Sequence, residues 1–364
     1  SDNNTAIGTS ALYANTTAGE NTAVGAFSLD ANTTGGNNTT VGYNSLGANT
    51  TGGQNTAIGH TALDAVTTSS DNTAVGYGAL GANTAANNTA VGSGALAANT
   101  SGINNTAVGR LALFANTTGG YNTAIGHISG DAITTGDSNT ALGYGSGSGI
   151  TTSDNNTTIG GSCAATLSTG AGNTILGASA ANSGTLLTTG SENIVIGLAA
   201  RTSAGDVDNE IVMGSSVQGT GNQTFVFGDG TLDTNCSMGG TTWANPSDVR
   251  IKEEIEDEVV GLSFINDLRP RTFRYRKEKD IPEALNAHVA DSEKRYKTDK
   301  YEHGFVAQEV KEAIDKYSAL KDGFDMWAED VNDGRQRVGP TAVIPMLVKA
   351  IQELSAEVEK LKGA

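Results

Sequence analysis

Apolar positions in the first two thirds of the chain follow a short, regular period. The pentapeptide Asn-Thr-Ala-Val/Ile-Gly recurs with little change, most often every 17 residues. A helix needs a 3.6-residue period over about 10 residues or more, and Gly and Thr disfavour it. We therefore predict a parallel β-solenoid or β-roll in which each unit has two short strands and two turns. The fourteen units end in Gly8, Gly25, Gly42, Gly59, Gly76, Gly92, Gly109, Gly126, Gly143, Gly160, Gly177, Gly197, Gly214 and Gly228.

A second fixed position is a small residue three places after most of these glycines. It is Ala, Ser or, once, Cys163, and in the first seven units a Leu follows it directly, from Leu12 to Leu113. Disorder is the alternative that a polar, Gly-rich composition leaves open. The constant register of the apolar and small positions favours the solenoid instead.

The last units are apolar at three successive strand positions, as in Ile194-Val195-Ile196 and Phe225-Val226-Phe227. Strand side chains alternate between two faces. One face is therefore predicted to fill the solenoid and the other to contact a second copy of the chain. In the early units we expect the outward position to be the middle residue of the motif. Those residues are Ala6, Ala23, Thr40 and Ala57.

Charge divides the chain near residue 244. Residues 1–244 hold two basic and 14 acidic side chains, against 20 basic and 25 acidic ones in residues 245–364. This shift predicts an array at 1–228, a linker at 229–246 and a separate domain at 247–364. The net charge of −17 argues against a nucleic-acid partner. No run of 18 apolar residues occurs, so we expect no membrane insertion.

The Val/Ile-Gly repeats of residues 1–228 resemble the β-roll head of trimeric autotransporter adhesins. Similar Asn-Thr-Ala-Val-Gly arrays occur in tail-fibre-like proteins. The resemblance implies a homotrimer with an adhesive function. Because the chain starts at Ser1 without an initiator Met, we expect it to be a fragment or a processed chain whose N-terminal attachment region is missing.

Four motifs follow in a fixed order in the C-terminal part. They are Ser247-Asp248-x-Arg250-x-Lys252, Leu268-x-Pro270-x-x-x-x-Tyr275, Gly304-Phe305-x-Ala307-Gln308-Glu309-Val310 and Ile351-Gln352-Glu353-Leu354. This order resembles the C-terminal intramolecular chaperone of endosialidase-type phage tailspikes and tail fibres. The resemblance implies a domain that trimerises, guides the preceding β-structure into a trimer, and then cuts itself off before its first Ser.

The resemblance also implies a Ser–Lys dyad. Ser247 is then the nucleophile, Lys252 the base and Pro246–Ser247 the scissile bond, with His303 as an orienting group or proton relay. A Ser hydroxyl needs a base, and a Lys serves as one when burial disfavours its charge. Five residues of helix or strand do not bring the two side chains together. We therefore expect a bend, or a Lys252 supplied by a neighbouring copy.

Simpler roles stay open for these residues. Ser247 or Asp248 would merely cap a helix, Lys252 would be a solvated surface charge, and His303 would precede a Gly turn at the surface. The charged insert from Glu278 to Lys300 is expected to be a solvated loop.

The chain ends in an apolar seam spaced 3, 4, 3, 4 and 3 residues apart. This is the a/d pattern of nearly three heptads, and it predicts a trimeric coiled coil. Packing of the helix against its own domain is the alternative. The seam consists of Ile344, Leu347, Ile351, Leu354, Val358 and Leu361.

These patterns predict a trimeric tail-fibre or adhesin tip of a virion or phage-tail-like particle, which binds a glycan or protein on a cell surface. The only enzymatic activity expected is one self-cleavage per chain, and no cofactor or metal is expected. The alternatives are a bacterial cell-surface adhesin with the same chaperone and a glycan-degrading tailspike. A further alternative is ice binding by a column of threonines, namely Thr5, Thr22, Thr39 and Thr56.

Overall fold

The chain forms two compact units. A computed structural model describes residues 3–231, 233–238, 252–285, 287–320, 324, 326–329 and 334–363. The two units are Ser1–Ser247 and Asp248–Ala364. The first unit is a solenoid, and the second is a small domain of short helices and strands.

The solenoid has one sheet, whose fifteen described strands lie side by side in chain order. The strands are β1 (Thr5–Ile7), β2 (Thr22–Val24), β3 (Thr39–Val41), β4 (Thr56–Ile58), β5 (Thr73–Val75), β6 (Thr89–Val91), β7 (Thr106–Val108), β8 (Thr123–Ile125), β9 (Thr140–Leu142), β10 (Thr157–Ile159), β11 (Thr174–Leu176), β12 (Ile194–Ile196), β13 (Ile211–Met213), β14 (Thr224–Phe227) and β15 (Thr234–Ser237). Strands β1 to β14 pair in parallel, one per turn, over about 13 turns. The predicted parallel β-solenoid is confirmed. Strand β15, from the segment expected to be a linker, closes the sheet with an antiparallel pair to β14.

The predicted inward and outward positions of the early strands were wrong. The middle residues Ala23, Thr40 and Ala57 are completely buried. The last residue of each strand faces outward instead, and Val41 and Ile58 are each 38% exposed. The interior admits only a small side chain here because the small residue of the preceding turn fills the adjacent space. The hydroxyls of Ser28 and Thr40 lie 2.7 Å apart.

Each turn contains one strand, and the expectation of two was wrong. After the motif glycine, alternate residues adopt left-handed backbone angles, as at Phe27 (φ 57°) and Leu29 (φ 53°), and these interrupt a strand. This conformation costs a non-Gly residue about 1–2 kcal/mol. Burial of a Leu side chain contributes about 1.5–3 kcal/mol, and Leu29 is completely buried. Its N–H also donates to Ser45 O at 3.1 Å.

The motif glycine is required where successive turns approach most closely. Gly42 has a φ of 140°, and a Cβ built there would lie 2.4 Å from Gly59 O. Equivalent contacts recur along the column. The repeat therefore ends in Gly because the carbonyl of the next turn occupies the space of a side chain.

The motif asparagines form a ladder inside the solenoid, which sequence analysis missed. Asn105 and Asn122 are almost completely buried. The N–H of Asn105 donates to Asn88 Oδ1 at 3.0 Å, and its Nδ2 donates to Gly119 O at 2.8 Å. The same pattern links Asn122 Nδ2 to Gly136 O at 2.8 Å. Each amide thus satisfies backbone groups that are shielded from water.

The side chains that fill the core change along the solenoid. Up to Leu113, most turns combine a buried Leu with a buried Asn three residues later; in the next turn Gly130 replaces the Leu and Ile133 the Asn. Ile133 reaches the space beside Gly130, where an added Cβ would lie 3.1 Å from Ile133 Cδ1. The change also ends a second ladder, in which Asn116 Nδ2 donates to Asn99 Oδ1 at 2.9 Å. Asn116 Oδ1 itself is left buried without a hydrogen-bond partner among the described residues.

In the described part of the second unit, three α-helices pack with four short strands. In chain order these are α1 (Leu262–Asp267), β16 (Arg271–Phe273), β17 (Glu302–Gly304), α2 (Ala307–Ile314), β18 (Trp327–Glu329), β19 (Gln336–Val338) and α3 (Ile344–Lys362). The pairs β16–β17 and β18–β19 are antiparallel. Phe264 of α1 and Val310 of α2 pack in a core with Met326 and Met346. A side chain of α3 also holds α1, because Glu353 Oε2 accepts the N–H of Leu262 at 2.8 Å.

No helix in the described part of the chain combines the length and the apolar character needed to cross a membrane.

Candidate functional site

The proposed dyad is only partly within the described structure. Ser247 and the scissile carbonyl of Pro246 lie outside the described residues. Lys252 is described, and its side chain is exposed. A Lys acts as a base when burial disfavours its charged form, so this burial would have to come from residues beyond those described or from another copy of the chain.

His303 lies in the middle of β17, opposite Thr272 of β16. Its Nδ1 is 3.1 Å from Thr272 Oγ1, and the side chain is exposed. It lines an open groove of about 990 Å³, whose wall also includes Tyr275, Gln308 and Arg337. The Thr hydroxyl orients the imidazole and leaves Nε2 for a second partner. This geometry is compatible with a proton relay and equally with a surface His.

Two of the C-terminal motifs are joined by a bidentate ion pair that sequence analysis missed. Arg271 follows Pro270 of the second motif, and Glu309 belongs to the third. The distances are 2.8 Å from Nε to Oε2 and 2.5 Å from Nη2 to Oε1. Hydrogen bonds from Arg271 lower the pKa of Glu309, and the carboxylate raises the pKa of Arg271. This ion pair links α2 to strand β16, which pairs with the strand that carries His303.

The charged insert between Glu278 and Lys300 is more structured than the expected solvated loop. Lys277 pairs with Arg295 in an isolated antiparallel bridge. Hydrogen bonds from Lys277 and then Lys279 lower the pKa of Glu293 to about 2. Arg295 Nη1 donates to Tyr275 O at 2.8 Å. The insert therefore folds back onto the β16–β17 strand pair, which carries His303.

The apolar seam of α3 is largely left exposed by the described part of its own domain. The helix instead buries Met346 and Ala350. Ile351 is 65% exposed and Leu361 is 72% exposed, and the other seam residues are exposed as well. An a/d seam open to solvent over the whole helix is suited to packing against equivalent helices.

The environment of Cys163 fits a packing role better than a nucleophilic one. Cys163 occupies the small-residue position of its turn and is completely buried, 3.2 Å from Ser146 Oγ. This burial raises the pKa of its thiol, which opposes formation of a thiolate. Within the described ranges, no group of three or more His, Cys, Asp or Glu side chains is placed to hold a metal ion.

Comparison with known proteins identifies the C-terminal region. Residues 247–318 match the family model described as chaperone of endosialidase. The match begins at Ser247 and ends shortly after α2. It confirms the resemblance stated for this region, which follows a β-solenoid. Searches of curated proteins and of solved structures gave no significant match.

Proposed function

With a chaperone-of-endosialidase region at residues 247–318 as the premise, we propose that the protein is a trimeric tail-fibre-type protein that binds a cell surface. In this proposal the solenoid is the functional part. The C-terminal unit brings three chains together, directs the folding of the solenoid and then cuts itself off. The observation that carries the proposal is this family match directly after a long β-solenoid.

Two exposed apolar strips support assembly into a trimer. The first runs along the outer face of the sheet, at the last residue of each strand. It includes Ile58 and Ile125, and it ends in Met213 and Phe227, which are 39% and 44% exposed. With about 4.8 Å per turn, the strip is roughly 60 Å long. The second strip is the seam of α3. Exposed apolar strips of this length mark interaction surfaces.

The outer face becomes more apolar toward the C-terminal end of the solenoid. In β1 to β11 the first outward position is Thr, whereas β12 and β13 have Ile194 and Ile211 there. Contacts between copies would therefore be strongest in the last turns of the solenoid. The strands of three chains would align first at the C-terminal end of the solenoid, and the alignment would then extend toward the N-terminus.

We expect the native protein to be a homotrimer with parallel chains. Burial of both strips removes apolar surface from water, which contributes about 25 cal/mol per Å², and a single chain leaves both strips open. Light scattering at micromolar concentration should give three times the mass of one chain before cleavage, and three times the mass of residues 1–246 once the C-terminal unit is released. A monomer at that concentration contradicts the proposal. A Ser263→Ala variant, altered at an exposed site away from both strips, should keep the trimer mass.

The proposed cleavage is an attack by the Ser247 hydroxyl on the carbonyl carbon of Pro246. The Pro246–Ser247 amide bond breaks as the new ester forms, and the departing amine of Ser247 takes up a proton. Lys252 accepts the hydroxyl proton, in the manner of a general base. Water then hydrolyses the ester to a carboxylate at Pro246. The exposure of Lys252 in one chain favours a site completed by a neighbouring copy.

Ser247→Ala and Lys252→Ala should each block release, since one removes the nucleophile and the other the base. The expected loss is at least about a hundredfold in the rate of cleavage. Denaturing gel electrophoresis during incubation at neutral pH measures the rate. Both variants should remain full-length trimers. The control variants Ser263→Ala and Lys294→Ala change exposed residues of the same types and should cleave like the wild type. Normal cleavage of Lys252→Ala would exclude the dyad.

A further inference from the structure

The solenoid carries a column of aromatic and basic side chains outside its sheet. It occupies the position directly after the motif glycine, and we call it the post-glycine column. It consists of Tyr43, His60, Tyr77, Ser93, Arg110, His127 and Tyr144. Backbone hydrogen bonds hold successive turns in register here, as from Gly94 N to Tyr77 O (2.9 Å) and from Leu111 N to Ser93 O (3.1 Å).

The side chains of the column form two stacks. In the first, the ring of His60 lies 5.1 Å from that of Tyr43 and 5.4 Å from that of Tyr77, with interplanar angles of 23° and 22°. In the second, Arg110 Nη1 donates to His127 Nε2 at 3.0 Å. The ring of His127 is 5.6 Å from that of Tyr144. Side chains of neighbouring turns thus cover one another along the column.

Ser93 interrupts the column and leaves a slot between the two stacks. Tyr77 has His60 on one face of its ring, and its other face points along the column toward the turn of Ser93. The turns of Tyr77 and Arg110 are two rises apart, about 9.6 Å. Contacts of about 3.5–4 Å on each side leave room for one puckered ring. Ser93 is exposed, so the slot is open to solvent.

Both walls of the slot have unused binding capacity. Tyr77 is 65% exposed, although an aromatic ring gains most when its face is covered. Arg110 is one of two basic residues among residues 1–244. In the described part of the chain no carboxylate forms an ion pair with it. A guanidinium that no described carboxylate pairs with is suited to a bidentate contact with the carboxylate of a ligand.

We propose that this slot binds an acidic pyranose of a cell-surface glycan. The C–H groups on one side of the sugar ring carry partial positive charge and cover the negative face of the Tyr77 ring. The sugar carboxylate receives two hydrogen bonds from Arg110. Ser93 forms the floor and has a hydroxyl for a sugar hydroxyl. A single carboxylate is favoured over a densely charged polymer because the surrounding array is acidic. The inference rests on the proposed surface-binding function and specifies its ligand.

The test is a titration of the whole folded protein with methyl glucuronide, followed by saturation-transfer NMR. One ring in an open slot should bind with a dissociation constant on the order of 1 mM. Methyl glucoside, which lacks the carboxylate, should bind at least fivefold more weakly. No binding of methyl glucuronide by the wild type overturns the proposal, and equal binding of the two sugars overturns the role of Arg110.

Three variants locate the binding. Tyr77→Ala and Arg110→Ala should each weaken binding at least tenfold. Ser93→Tyr should abolish it, because a ring at Ser93 completes the column and fills the slot. The matched control is Tyr13→Ala, which removes an exposed ring outside the column and should change affinity less than twofold. Wild-type affinity in Ser93→Tyr overturns the slot. Circular dichroism of each variant checks that the solenoid is intact.

The oligomeric mass and the cleavage pattern are measured on the same samples. A cleaved trimer that binds no glucuronide overturns the slot and leaves the chaperone proposal standing. An uncleaved monomer that binds glucuronide supports the slot and contradicts the proposed assembly.

Discussion

Synthesis of residues 1–246 alone is expected to yield aggregated or misfolded protein. Without the C-terminal unit, three chains have no means of aligning before their outer strips meet. The exposed Thr-x-Val/Ile strands of the early turns offer only a thin apolar contact, and open strand edges pair with any available partner. Alignment between chains is also a slow, non-local step. We expect less than a tenth of the truncated protein to be a soluble trimer by light scattering.

Removal of the same segment after folding should have little effect on the solenoid. A protease site inserted after residue 246 in a Ser247→Ala background allows the cut to be made on folded protein. The array should then stay trimeric, because its turns and outer strips are already in place. If the truncated gene yields a soluble trimer directly, the chaperone proposal is wrong.

Gly59→Ala is expected to destabilise the solenoid severely. The backbone at Gly59 has a φ of 139°, and a Cβ would lie 2.4 Å from Gly76 O. Left-handed strain costs about 1–3 kcal/mol, and overpacking adds about 1–3 kcal/mol. The obstacle is the backbone of the next turn, which cannot rotate away like a side chain. We expect a loss of about 3–5 kcal/mol, measured by chemical denaturation.

Gly161→Ala provides the matched control in the same solenoid. A Cβ added at Gly161 would meet no atom within 4 Å, and its backbone has no left-handed φ. Its replacement should change the free energy of unfolding by less than about 0.5 kcal/mol. Equal denaturation midpoints for the two variants would show that the close approach of successive turns does not determine the repeat.

The period of the solenoid was predictable from the sequence, and the direction of its side chains was not. The 17-residue spacing of the motif glycines is visible in the sequence alone. The strand Thr22-Ala23-Val24, however, is compatible with either face inside. The outcome depends on the width of the interior, which the small residue of the preceding turn limits, as Ser28 does beside Thr40. Sequence alone does not give that width, so the larger Val was expected inside and is found outside.

Polar groups inside the solenoid were the second feature beyond prediction. An Asn in a Gly-rich repeat is typical of a surface turn, yet Asn105 and Asn122 are buried. Their role depends on hydrogen bonds between turns 17 residues apart, which a linear pattern does not show. The Ser–Lys motif was recognisable in the sequence for the opposite reason, since its residues lie within six positions. In the proposed mechanism, its geometry depends on chain segments, or copies of the chain, that assembly brings together.

The most direct test of the proposed self-releasing chaperone is the mass of the wild-type chain under denaturing conditions after incubation at neutral pH. The account predicts two fragments, residues 1–246 and 247–364, with Ser247 as the new N-terminus of the second. A single full-length chain after prolonged incubation would contradict self-cleavage.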